Sequence, residues 1–72
     1  MNGNKMPSLN DLKTAVRRGD TEEVERLANE LNENGVNFES ALTLAENKNR
    51  VTRGEWQDIV DILSAYFSSD DE

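Results

Sequence analysis

Apolar side chains return along this chain at every third or fourth position, and no stretch alternates apolar with polar at period two. That is the rhythm of helices, because about 3.6 residues per turn place i, i+3, i+4 and i+7 on one face. Leu9, Leu12, Ala15 and Val16 make the first stripe. Ser8 stands before it with Asp11 three residues on, the form of a capping box, and Gly19 supplies a stop. The second stripe is Val24, Leu27, Ala28 and Leu31, opened by Asp20 as N-cap with Glu23 as its partner and closed by Gly35. Glu22 and Arg26 form an acid-before-base pair at i,i+4 on this helix.

The third stripe, Phe38, Ala41, Leu42 and Ala45, lies within 36–49 with Asn37 as the expected cap. Leu44 points away from it, so this helix is expected to have neighbours on two sides. In the fourth, Trp56, Ile59, Val60, Leu63, Tyr66 and Phe67 share one arc, Ile62 widens it, and Thr52 with Glu55 reads as a second capping box. Short connections favour antiparallel neighbours. The fold predicted is all-α: four helices arranged as two stacked antiparallel helical hairpins.

Length and composition narrow this further. At 72 residues the chain is one domain, read as a disordered lead-in over 1–7, a helical domain over 8–67 and an acidic flexible tail over 68–72. A domain this small buries roughly 60% of its unfolded surface, so its core must pack well. Cysteine and histidine are both absent, which removes disulfides, thiolate chemistry and the commonest general base and metal ligand. No apolar run is long enough for a membrane span, and a cytoplasmic location is expected, or the host cytoplasm if the protein is viral.

Net charge is −7, from 15 acids against 8 bases, and it is unevenly spread. Lys5, Lys13, Arg17 and Arg18 make residues 1–19 basic, and Lys48, Arg50 and Arg53 do the same for 48–53. The predicted second and fourth helices are acidic, and stacking the hairpins would bring both basic clusters to one end.

Two segments resemble each other and a known family. "LKTAVRRGDTEEVERLA" is similar to the helix–turn–helix of an ankyrin repeat, through Leu12, Ala15, Gly19, Glu23, Val24 and Leu27. The second half offers Leu42, Leu44, Ala45 and then Ile59, Val60, Ile62 and Leu63, and Gly35 to Asn37 is like the turn after an ankyrin second helix. The resemblance covers roughly 50 residues by pattern, as a shared way of stacking αα-hairpins. It implies a protein-binding module.

Catalysis finds few roles here. No carboxylate falls on a predicted apolar face, where burial would move its pKa, and no histidine stands ready to activate Ser8, Ser40 or Thr52. No cofactor, metal site or enzymatic activity is expected. A DNA-reading helix–turn–helix is disfavoured, because the candidate recognition helix presents Glu55, Asp58 and Asp61 to a polyanion. The expected partner is another protein with a basic surface, met by an acidic face of Glu25, Glu30, Glu33, Asp58 and Asp61. Ile62, Tyr66 and Phe67 are the candidate apolar seam, for a partner or a homodimer. An inhibitor occupying a groove that normally holds nucleic acid fits this charge and size, as in phage-encoded nucleic-acid mimics and anti-defence proteins. The alternative is a structural homo-oligomer subunit whose acidity serves solubility.

Overall fold

The computed structural model describes residues 7–67. The expectations of a disordered lead-in, up to residue 6, and of a flexible tail over 68–72 lie outside the described residues. Four helices follow in order: α1 (Leu9–Arg18), α2 (Thr21–Glu33), α3 (Glu39–Val51) and α4 (Gln57–Ala65). α1 packs on α2 and α3 on α4 as two hairpins, and the hairpins stack so that α1 meets α3 and α2 meets α4. The molecule therefore has an α1/α3 layer and an α2/α4 layer.

Between the layers lies one core. Leu12, Val16, Val24, Leu31, Phe38, Ile59 and Leu63 are its largest fully buried side chains, with alanines at 15, 28, 41 and 45 where helices approach closely. Among the described residues no polar or charged side chain is buried.

The first hairpin ends where its local chemistry dictates. Ser8 Oγ accepts from the Asp11 amide and Asp11 Oδ2 accepts from the Ser8 amide, so the predicted capping box is complete. Asp20 Oδ1 accepts from the Glu23 amide at the start of α2. At the end of α1 the amides of Gly19 and Asp20 donate to the carbonyls of Val16 and Ala15, with Gly19 at φ +72°. At the end of α2 those of Gly35 and Val36 donate to Asn32 and Leu31, with Gly35 at φ +74°. Both are left-handed turns in which an L side chain is disfavoured. Arg26, expected to pair with Glu22, instead bonds Glu23 and lies 3.8 Å from Glu30, because it leans toward α1 rather than along the outer face.

The second hairpin departs from expectation at both helix starts. Asn37 caps α3 from one residue further out: its Oδ1 accepts from the Glu39 amide at 2.9 Å, while Phe38 holds the N-cap position and turns its ring into the core. Thr52 and Glu55 are not a capping box for α4. Thr52 ends α3, its hydroxyl donating to the Lys48 carbonyl at 2.7 Å, and the chain then turns through Arg53 at φ +63° and Gly54 at φ +102°. The amides of Arg53 and Gly54 reach back to Arg50 and Asn49, the same closure as in the first hairpin. α4 begins only at Gln57. A helical spacing of apolar residues fixes a face, not a first residue, so the Thr52–Glu55 pattern alone could not locate that start.

Candidate functional site

Trp56 joins the two hairpins. It occupies the N-cap position of α4, and its backbone amide donates to Asn49 Oδ1 at 3.1 Å. The same Asn49 side chain donates from Nδ2 to Gln57 Oε1 at 3.1 Å, so α3 supplies the cap that α4 lacks. The indole ring crosses to α1, where its N–H donates to the Val16 carbonyl. It lies against Gly19 so closely that a Cβ there would stand 3.4 Å from Cζ2. Lys48 Nζ sits 5.7 Å from the ring centroid, within cation–π range. Of the two basic clusters expected at one end, the structure places Lys48 at this ring, whereas Arg18 lines the groove between α1 and α2. The indole is bonded one position before Arg17; Lys48 and Arg50 belong to the last turn of α3, and Arg53 to the connection that follows.

The charged helices are sorted by layer. α2 and α4 carry seven carboxylates against Arg26, a net −6; α1 and α3 carry five bases against Asp11, Glu39 and Glu46, a net +2. Of the predicted acidic face, Glu25, Glu33, Asp58 and Asp61 are exposed. None of these four is ion-paired to another described residue, and Asp61 accepts a hydrogen bond from Gln57 Nε2 at 2.9 Å. Since α2 packs on α4, their outward faces adjoin. Glu30 leaves this face: it is half-buried, turned toward Arg26 and the groove between α1 and α2.

That groove, of about 560 Å³, is lined by charges of both signs, with Arg18 and Arg26 among four carboxylates. Asp11 and Asp20 on its wall are helix caps, and Glu23 and Glu30 attend Arg26. The Arg26 guanidinium is held protonated above its ordinary range, chiefly by its hydrogen bond to Glu23 and then by that carboxylate's charge; partial desolvation opposes, and Glu30 adds least. Among the described residues no group of three or more acids forms a metal-binding cluster, and no helix is long and apolar enough to cross a membrane.

The apolar seam is largely drawn into the molecule. Tyr66 and Phe67 pack edge-on against Phe38, with ring centroids 5.5 and 5.1 Å away. Tyr66 and Ile62 are half-buried against the core, while Phe67 remains 40% exposed. The more exposed large apolar side chain is Val51, at 81%, on the last turn of α3. With Leu44 and Trp56 it lines a second groove of about 280 Å³, walled also by Asn47, Lys48 and Thr52. Sequence reading missed this site because Val51 falls between the third segment, 36–49, and the Thr52–Glu55 pattern, and so belonged to neither stripe. The one available signal was Leu44, whose position off the α3 core face already required something beside it.

Comparison with protein-family models, with curated proteins and with solved structures finds no match to this chain.

Proposed function

We propose that the chain is a non-catalytic protein-binding module whose α2/α4 layer docks on a basic protein surface. The observation that supports this is the sorting of charge between layers, −6 against +2, with Glu25, Glu33, Asp58 and Asp61 exposed and not neutralised by a described cation. Carboxylates serving solubility alone have no reason to gather on one side of a small domain. A one-sided negative surface steers association with a cationic partner and suppresses contact with nucleic acid and anionic lipid. An inhibitor that fills a nucleic-acid groove is one form of this reading, and a cytoplasmic site of action, in a host cell if the source is viral, is consistent with it. The stacking of paired helices in the manner of ankyrin repeats belongs to the same proposal, as a way of presenting a face.

The test compares the native chain with Asp58→Lys/Asp61→Lys in pull-downs from its source cells. The proposal expects one basic protein, retained by the native chain, released between about 50 and about 300 mM salt, and lost by the double variant, whose fold is unchanged because both positions are exposed. Retention by the double variant at native strength would end it.

A second reading, a homo-oligomer subunit, draws on Phe67 and Ile62 as an apolar end. Light scattering at high salt separates the two, since an apolar seam holds or strengthens where an ionic contact dissolves.

A further inference from the structure

The groove at the outer end of α3 differs in chemistry from the acidic layer. Its walls are Leu44, Val51 and the Trp56 ring, with the stem of Lys48 across it, and no carboxylate lines it. Glu46 and Glu55 are the nearest acids in sequence; both are exposed and neither reaches the lining. Lys48 is the one charged residue of its lining, and Arg50 stands beside it on the last turn of α3. Neither of these cations is ion-paired to another described residue, although Arg50 donates to Asn47 Oδ1 at 2.9 Å. Val51 occupies the last helical turn, 81% exposed, where a polar residue would serve the fold equally well. An apolar slot walled by an aromatic ring, with Lys48 as its one charged lining residue, accepts a ligand that is oily at one point and anionic beside it.

We infer that this end of the molecule receives an acidic segment of a partner protein, which lays one aliphatic side chain between Leu44, Val51 and Trp56 and sets its carboxylates against Lys48 and Arg50. The surface is separate from the α2/α4 layer, so the chain carries two docking faces of opposite sign. A nucleic-acid strand is the less favoured occupant, because the groove wall is apolar and the molecule's −7 charge opposes a polyanion at long range.

Trp56 is the chain's single tryptophan, so its emission reports on the site directly. The probe is a synthetic acidic peptide, Asp, Glu and Ser around one central Leu. The expected result is a shift of Trp56 emission with saturable binding, weakened about tenfold between about 50 and about 300 mM salt. The same peptide with Ser for the central Leu, and the variant Val51→Glu with the native peptide, are each expected to lose at least about fivefold. Val51→Glu changes an exposed position and leaves every carboxylate of α2 and α4 in place, so it leaves the acidic layer's partner bound. Three outcomes overturn the inference. One is no emission shift with the acidic peptide; another is equal binding by Val51→Glu. The third is tighter binding of an oligothymidine strand of similar length than of the peptide. A doubling of the 8.1 kDa mass that Val51→Glu abolishes would likewise replace the partner by a second copy.

Discussion

In the α1–α2 hairpin, Ser8 and Asp20 cap their own helices and Gly19 and Gly35 take the left-handed turns. In the α3–α4 hairpin, neither N-cap residue caps its helix with its own side chain, Arg53 stands where a glycine would, and the cap on α4 comes from Asn49 of α3. Both hairpins close with the same backbone hydrogen bonds. They differ in where the stabilising groups come from. The first is specified by residues within three or four positions of one another. In the second, the start of α4 is specified by contacts from other elements, of which the Trp56–Val16 bond spans 40 positions.

The largest expected effect tests that dependence on packing. Leu63 and Ile59 are the only fully buried residues of α4, with Val60 and Ile62 packed partly against the core, so Leu63→Ala removes a large part of what holds that helix down. A loss of about 2–5 kcal/mol is expected in urea unfolding, a large share of a small domain's stability. A loss under about 1 kcal/mol would show α4 to be held locally after all, and the contrast between hairpins would fall.

Asn49→Ala comes next. It removes the acceptor for the Trp56 amide and the bond to Gln57 together, and is expected to cost about 1 kcal/mol, much as Asp20→Ala does in the first hairpin. The distinction lies in hydrogen exchange: Asn49→Ala should speed exchange at the start of α4, a helix it does not belong to, and Asp20→Ala only within α2. Uniform acceleration in both variants would mean the borrowed cap is not what holds that end.

Smallest, and opposite in sign, is Arg53→Gly. A non-glycine residue at φ +63° carries a steric penalty of about 1 kcal/mol, partly offset by the chain entropy glycine brings to the unfolded state. The melting temperature should rise by a few degrees. A fall would show that the Arg53 side chain makes a contribution larger than the strain.

This contrast also explains what the sequence made legible. Ser8, Asp11, Gly19, Asp20 and Gly35 announce α1 and α2 almost to the residue, because each acts on its own helix. The core was legible too, since Leu12, Val16, Val24, Leu31, Phe38 and Leu63 were readable from spacing alone. The α3–α4 connection was not. Thr52 and Glu55 imitate a capping box, while the groups that set the helix start are an asparagine side chain and a tryptophan ring whose partners spacing cannot name. The same blindness hid the Val51 groove, which exists only once Trp56 has left the α4 stripe to lie across α1. It also gave Glu30 to the outer face, where only coordinates show Arg26 turning it aside.

The division of charge between layers has a kinetic corollary. A small body that is negative on one side and positive on the other experiences a torque in any external field, so it rotates before it touches. Each face would then reach a charged surface already aligned, and salt would act first on how often encounters succeed rather than on how long they last.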